Sequence, residues 1–180
     1  NKDVTTIEDT INGASDIIAQ RYADDFRTKE VIRNIVLNYG IIETKKTKTF
    51  NESGVYVSVA NVSEKIKYIK SHRFLAINRA ANEKELTIKI EVDENYILEN
   101  IKKYKIPATA SSSKEIVFEA YKDGLKRLLL PSLKREALTQ LKEKSSSEAI
   151  TLFGKNLKEL LLTPPLVNQV ILGMDPGYVS

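Results

Sequence analysis

The sequence predicts a mainly α-helical domain with a minor β component. Apolar side chains recur at three- and four-residue steps, the helical period, over residues 6–23, 28–40 and 113–162. Strict alternation of apolar and polar side chains, the strand pattern, is clear only over residues 86–92. A chain of 180 residues can bury a sizeable core without disulfides or metals. We therefore expect one multi-helical domain that carries a few short strands.

The first two helices are predicted to form a helical hairpin. The first runs from Thr6 to Ala23 and contains Gly13, a residue type that costs about 1 kcal/mol relative to alanine inside a helix. We expect another helix to cross closely at this glycine. Thr28 is the predicted N-cap of the second helix, and Gly40 is its predicted end, in a left-handed turn.

The segment after Gly40 is predicted to contain strands and short helices. Residues 41–61 alternate in the strand manner and predict a hairpin whose turn lies at residues 51–54. A short helical turn is expected from Ser63, and Ser71 is the predicted N-cap of a helix that continues to residue 81.

Residues 86–92 form the clearest strand pattern in the chain, with one face buried. A strand needs a partner for its backbone hydrogen bonds. Either residues 41–61 or an apolar strand near residues 168–174 could supply that partner.

A further helix is predicted from Asp93, as its N-cap, through Tyr104. Pro107 and the small-residue linker at residues 108–112 would end this helix. The longest helical block of the chain follows.

That block, residues 113–162, is predicted to form the core around which the rest of the chain packs. Pro131 interrupts it, because proline lacks a backbone donor and clashes with the preceding turn. We expect a kink or break at Leu130–Pro131 and a second break at residues 145–147, where Ser147 would cap the next helix. The block would thus form three helical pieces.

The composition excludes several classes of site. The chain has no cysteine, which rules out disulfides and thiolate metal sites, and His72 is its only histidine. No phosphate-binding loop, nucleophile elbow or zinc-ligand pattern is present, so we expect no catalytic residues and no cofactor. No apolar run approaches the roughly 18 residues of a membrane span, and we expect a cytoplasmic protein without membrane contact.

The distribution of charge predicts either contact with phosphate groups or a solvated lysine-rich face. The net charge is +4, and residues 41–80 hold eight lysines and arginines against three acidic residues. A local excess of this kind attracts phosphate backbones. His72, between Lys70 and Arg73, suits either anion contact or a hydrogen bond at a helix start. The candidate nucleic-acid contacts are Lys65, Lys67, Lys70, Arg73, Arg127, Lys134 and Arg135.

An apolar stretch near the end of the sequence leads into an aspartate and a turn. Residues 170–174 are followed by Asp175, Pro176 and Gly177, an order with which ribonuclease-H-like folds begin. In active members of that fold the first aspartate binds a metal ion used for phosphodiester hydrolysis. Asp175 alone cannot perform two-metal chemistry, and an ordinary aspartate between a strand and a turn is the alternative.

Five blocks of sequence, in order, carry a resemblance to a known family. They are Gly13–Ala23 (GASDIIAQRYA), Lys70–Arg73 (KSHR), Arg127–Glu136 (RLLLPSLKRE), Asn156–Leu162 (NLKELLL) and Leu172–Tyr178 (LGMDPGY). Together they resemble the bacterial Tex family of transcription accessory proteins, and the resemblance covers nearly the whole chain.

The resemblance implies a large cytoplasmic protein with an N-terminal helical region, a YqgF-type ribonuclease-H-like domain, helix-hairpin-helix elements and a C-terminal OB-fold RNA-binding domain. Residues 1–166 would be the central helical domain, and residues 167–180 the first strand and turn of a truncated YqgF-type domain. We therefore expect both ends of the chain to lie inside a longer protein. The implied partners are RNA or DNA, bound through the full-length protein, and the transcription machinery.

Three functions remain open at this point. The first is a non-catalytic helical scaffold of an RNA-binding transcription accessory protein, which orients nucleic-acid-binding domains and adds phosphate contacts. The second is part of a metal-dependent nuclease in which Asp175 binds a metal ion. The third is a protein-interaction module for the transcription machinery, for which a large exposed apolar patch would be the supporting sign.

Overall fold

A computed structural model describes residues 6–105, 113–165 and 167–175. Its helices are α1 (Ile7–Asp24), α2 (Phe26–Tyr39), α3 (Ser71–Asn82), α4 (Glu94–Lys105), α5 (Lys114–Asp123) and α6 (Leu130–Leu161). Its strands are β1 (Ile41–Lys46), β2 (Ser63–Lys65) and β3 (Leu86–Glu91). Short 3-10 turns lie at Val57–Val59 and Ile66–Tyr68, and a π-helical turn lies at Gly124–Leu129. The predicted mainly α fold with a minor β component is confirmed.

The first two helices lie where they are predicted, but the cap of the second differs. Thr6 caps α1 and accepts the backbone N–H of Asp9 at 3.1 Å. Asp25, rather than Thr28, caps α2, because its carboxylate accepts the backbone N–H of Thr28 at 2.9 Å. Thr28 is therefore the third residue of the helix and lies buried.

Two glycines do not have their predicted roles. Gly40 is extended (φ −60°) rather than left-handed, and its missing side chain leaves room for the carbonyl oxygen of Val36. Gly13 has no described atom within 4 Å of where a side chain would begin, so the close crossing predicted there is wrong. The close crossing lies instead at Gly124, against the backbone of Ala19 in α1.

The three strands form one antiparallel sheet in the order β2–β1–β3. Ile42 of the central strand lies opposite Glu64 of β2 and Ile90 of β3. Ile42 and Ile90 are both buried in the main core. The strand predicted at residues 86–92 is thus confirmed, and β1 is its partner.

The hairpin predicted within residues 41–61 is wrong beyond β1. The chain forms turns after β1, and the strand that returns beside it is at residues 63–65. The helical turn predicted over residues 63–67 is present only at its end, as the 3-10 turn at Ile66–Tyr68. The buried side chain of Thr44 accounts for the difference. Its hydroxyl donates to the carbonyl oxygen of Val59 at 2.9 Å and accepts the backbone N–H of Val62 at 2.8 Å. These bonds occupy backbone groups that a longer hairpin would pair.

The two helices that flank β3 lie close to their predicted positions. Ser71 is the first residue of α3, and Lys70 occupies the cap position in its place. Asp93 caps α4 as predicted, since its carboxylate accepts the backbone N–H of Tyr96 at 3.1 Å. The predicted helix end and linker at residues 107–112 lie outside the described residues.

The core consists of two clusters of buried side chains. The larger joins the helices to the sheet and the π-helical turn, with α5 contributing the partly buried Tyr121, and Phe74, at 1% exposure, belongs to it. The smaller lies between α3, β3 and the first 3-10 turn and contains Tyr56, Val59, Ile77, Ala80 and Leu86. Burial of this extent supports a cooperatively folded domain.

The interruption predicted at Leu130–Pro131 is present as a π-helical turn that leads into α6. The N–H of Leu130 bonds to the carbonyl of Leu125, five residues back, so the helix widens just before the proline. The second predicted break, at residues 145–147, is wrong, because α6 continues through it. Ser145 is buried at 2% exposure, where its small side chain lets α6 pack on the segment before α3.

The second half of α6 extends past the core. Its apolar side chains are exposed: Ile150, Leu152, Phe153, Leu157, Leu160 and Leu161. The prediction that the whole of residues 113–162 builds the core therefore fails after Ser145. We call residues 146–161 the α6 extension.

The strand predicted near residues 168–174 is not formed. Residues 167–175 have no regular structure, and Val170 and Leu172 are exposed. A strand needs a hydrogen-bonding partner, and within the described residues the sheet contains only β1, β2 and β3. No helix in the described part of the chain has the length and apolar character needed to cross a membrane.

Candidate nucleic-acid interface

The seven candidate cations lie in three separate regions of the fold. Four lie between β2 and the first turn of α3, one in the π-helical turn and two near the start of α6: Lys65, Lys67, Lys70 and Arg73, then Arg127, then Lys134 and Arg135. All are exposed except Lys134, which is half-buried. They therefore come from three separate segments of the chain.

Arg127 is surrounded by carboxylates. Its guanidinium pairs with Asp123 at 2.7 Å and with Asp16 of α1 at 3.0 Å. The surface cavity beside it is also lined by Glu115 and Glu119. The hydrogen bonds and charge of Asp123, followed by Asp16, raise the pKa of Arg127 above its ordinary value. This arginine joins α1 to the π-helical turn and is a poor candidate for a phosphate contact.

Two other candidates also have partners within the protein. Arg73 pairs with Glu64 at 2.9 Å, and both side chains are partly exposed, so solvent screens the pair. Arg135 donates to the carbonyl oxygen of Pro131 at 3.3 Å, inside its own helix. Lys134 forms no ion pair within the described residues.

A groove lies between α6 and the chain segment at residues 66–75. It consists of two adjoining cavities of about 220 and 420 Å³ that share Ile69, Ser71 and Lys144. Its apolar lining is aliphatic: Leu37, Ile66, Ile69, Leu75, Leu141, Ala149 and Leu152. One wall is α6, and the other comprises the 3-10 turn at Ile66–Tyr68, a short connection and the start of α3, which packs on α6. We call this feature the α3–α6 groove.

The charged lining of the α3–α6 groove is mostly cationic. Lys67, Lys70 and Lys144 border it, and none of them forms an ion pair within the described residues. One carboxylate of the described lining, Glu148, accepts a hydrogen bond from the hydroxyl of Ser71. Three ammonium groups thus face one carboxylate, and the groove favours an anionic ligand.

Sequence reasoning missed Lys144 because only the packing of α3 on α6 brings it beside Lys67 and Lys70, and no local sequence pattern indicates that proximity. His72 lines the larger cavity and makes no side-chain hydrogen bond to other described residues, so the hydrogen bond predicted for it at the helix start is absent there.

Within the described residues no group of three or more histidine or acidic side chains has an arrangement that could hold a metal ion. Asp175 is exposed at the end of the last described segment. The Pro176–Gly177 turn predicted after it lies outside the described residues. The role of Asp175 as a metal ligand therefore stays a prediction.

Comparison with known proteins identifies the family of the chain. Residues 1–153 match the family model described as Tex central region-like. The chain is 35% identical over 179 residues to the uncharacterized protein YdcI of Bacillus subtilis, across 98% of this chain and 25% of that protein. It is 31% identical over 191 residues to human S1 RNA-binding domain-containing protein 1, across 98% of this chain and 19% of that protein.

A third relative is the transcriptional accessory protein Tex of Neisseria gonorrhoeae, 29% identical over 184 residues, across 99% of this chain and 24% of that protein. The chain thus spans about a quarter or less of the length of these relatives. Two of them are named for transcription or for an RNA-binding domain, so the chain corresponds to one region of nucleic-acid-related proteins. Residues 1–153 correspond to the central region of Tex proteins. Because this family model covers most of the sequence, the protein belongs to the Tex family.

Proposed function

We propose that this chain is a non-catalytic helical support within a longer RNA-binding transcription accessory protein, where it orients nucleic-acid-binding domains. The observation that carries the proposal is the α6 extension, residues 146–161, whose apolar face has no cover within the described residues. A helix that is anchored in one core and continues beyond it can fix the position of whatever packs on its far end.

The α6 extension is amphipathic. Ile150, Phe153 and Leu160 lie on one face at helical spacing and are 71%, 66% and 71% exposed. Lys155 and Lys158 lie on the opposite side. A single helix with an uncovered apolar face is marginal in water, so we infer that another part of the longer protein covers it. At 1.5 Å per residue the extension is about 24 Å long, which is most of the roughly 30 Å diameter of a small domain.

The relatives support a cover that comes from the same polypeptide. The family model ends at Phe153, but similarity to the longer relatives covers 98–99% of the chain. The α6 extension is therefore shared with proteins about four times as long. We infer that the region following it in the longer protein packs on its apolar face.

Phosphate contacts are the second part of the proposed function. Three lysines support such contacts, because they lie together from the last residue of β2 to the residue before α3: Lys65, Lys67 and Lys70. None of them has an ion-pair partner within the described residues. Arg73 and Arg127 are weaker candidates, since carboxylates already neutralise them. These lysines would position RNA without reading its sequence.

The scaffold role is tested by replacing Ile150, Phe153 and Leu160 with serine in the full-length protein. We expect hydrogen exchange along residues 150–161 to accelerate in the variant and RNA affinity to fall, because the cover and the domain it carries are released. The control replaces Lys155 and Lys158 with glutamine on the opposite face and should leave both measurements unchanged. If hydrogen exchange at residues 150–161 is as fast in the unsubstituted full-length protein as in the 180-residue chain, the proposal is rejected.

A protein-interaction module is the second candidate function, and the same exposed apolar face favours it. The full-length measurement separates the two roles. Protection of residues 150–161 in the purified full-length protein supports the scaffold. Protection that appears only after a partner protein is added supports the interaction module.

A further inference from the structure

We propose that the α3–α6 groove holds the backbone of single-stranded RNA, with Lys67, Lys70 and Lys144 as its phosphate contacts. The proposal rests on the proposed function for its nucleic-acid setting and deepens it, because it names the site, the ligand class and a contact, Lys144, that the sequence did not suggest.

The three lysines combine two features, the lack of an ion-pair partner within the described residues and a position beside one groove. Several cations elsewhere are neutralised by carboxylates, as in the pair of Arg33 with Glu136 at 2.6 Å. Lys67, Lys70 and Lys144 have no such partner within the described residues, although they border one groove. Unpaired ammonium groups gathered at one concave surface raise the local concentration of an anion.

The groove is elongated, because its two cavities lie side by side. The cavities, of about 220 and 420 Å³, both have Ile69, Ser71 and Lys144 in their linings, so Lys144 can contact a linear ligand that occupies both. A polymer with regularly spaced negative charges fits that arrangement better than a single small anion does. The cavities are small, so a single strand can enter where a duplex would rest on the rim.

Aliphatic side chains line the groove between the lysines. Ile69, Leu75 and Leu152 are aliphatic and offer no hydrogen bonds to base edges. Aliphatic side chains can contact ribose and base faces of any sequence, and the lysines contact phosphates, which carry no sequence information. The groove would therefore bind RNA without sequence preference and orient it toward domains that read it.

The one carboxylate of the described lining does not oppose this role. Glu148 accepts the hydroxyl hydrogen of Ser71, which directs one of its oxygens toward the start of α3. Lys144 precedes Glu148 by one helical turn on α6.

The test measures binding of a fluorescent single-stranded oligouridine to the 180-residue chain at several salt concentrations. Each phosphate contact with a single strand contributes about 0.7 to the slope of log affinity against log salt. Replacing Lys67, Lys70 and Lys144 together with glutamine should therefore reduce the slope by about 2. Lys144→Gln alone should reduce it by about 0.7, and its exposed position lets the fold persist.

A matched control removes the same charge elsewhere. Lys45, Lys48 and Lys89 are exposed on and beside the sheet and do not border the groove. Their triple replacement with glutamine should leave the slope unchanged. An equal fall in both triple variants would overturn the proposal in favour of a general charge effect.

Two other results would also overturn the groove assignment. If polyglutamate of matched charge displaces the RNA at equal concentration, the groove is a site for acidic peptides. If the chain binds no RNA at low salt, the groove makes no phosphate contact. The scaffold role is judged separately, by hydrogen exchange at residues 150–161 of the full-length protein, so either result leaves that proposal standing.

Discussion

Gly124 lies directly against the backbone of Ala19. A Cβ atom at position 124 would stand 2.7 Å from the carbonyl oxygen of Ala19 and 3.0 Å from its Cα. Ala19 is fully buried, so α1 and the π-helical turn meet at this pair with no room for a side chain. The contact holds the first helix against the block that carries α6.

We expect Gly124→Ala to lower the free energy of unfolding by about 1–3 kcal/mol, because the methyl group would force two backbones apart. The measurement is the urea midpoint of the variant. Gly13→Ala is the matched control, since Gly13 lies in α1 with open space around it. There alanine should stabilise the protein by about 0.5–1 kcal/mol through its better helix propensity. Stabilisation by both substitutions would contradict the close packing at Gly124.

Thr44 is the second point at which a single side chain holds the fold. Its buried hydroxyl serves both the carbonyl of Val59 and the N–H of Val62. Thr44→Val keeps the shape but leaves two backbone groups without this partner, and we expect a loss of about 1–3 kcal/mol in the free energy of unfolding. Thr87→Val, on the exposed face of β3, should change it by less than about 0.5 kcal/mol. Equal losses would show that the hydroxyl of Thr44 is not important.

The two glycines also show how far sequence reasoning reaches. Helical periodicity correctly placed α1, but it cannot say which glycine of two helices meets a neighbour, because the crossing point depends on tertiary packing. The sequence predicts the close helix crossing at Gly13, whereas the structure has it at Gly124. In the same way, serine competes for backbone hydrogen bonds, and this predicts a helix break at residues 145–147. Burial of Ser145 against the segment before α3 instead favours a continuous helix.

The candidate site was only partly predictable for a related reason. Charge counting found Lys67 and Lys70, which are close in sequence, but Lys144 joins them only through the packing of α3 on α6. The same counting included Arg127, although Asp123, four residues before it, pairs with it at 2.7 Å and Asp16, 111 residues away, pairs with it at 3.0 Å. A net charge counted over a segment therefore cannot separate a free cation from a neutralised one.

Stability at alkaline pH should depend on Tyr22. Burial, followed by the nearby Tyr121 and Asp25, raises the pKa of the Tyr22 hydroxyl well above its ordinary value of 10.0. The unfolded chain therefore loses this proton first, so the stabilising contribution is complete below about pH 10 and declines as the pH rises further. Tyr22→Phe should make the urea midpoint less sensitive to pH above that value.

The control for that measurement is Tyr68→Phe, because Tyr68 is 65% exposed. It should leave the alkaline decline of the native chain intact. The two variants bear one hydroxyl fewer each, so only the position of the lost group differs. A pH dependence unaltered by Tyr22→Phe would mean that other groups cause the decline.

Arg127 is an exposed cation that should not contribute to RNA binding. Because Asp16 and Asp123 already pair with its guanidinium, and Glu115 and Glu119 line the adjacent cavity, a phosphate there would meet a negative field. We expect Arg127→Gln to leave the salt slope of oligouridine binding unchanged, although it removes one positive charge. Lys144→Gln removes the same charge and should lower that slope by about 0.7. If Arg127→Gln lowered the slope as much, the phosphate track would have to include the π-helical turn, and the pairing with Asp16 would have to open when RNA binds.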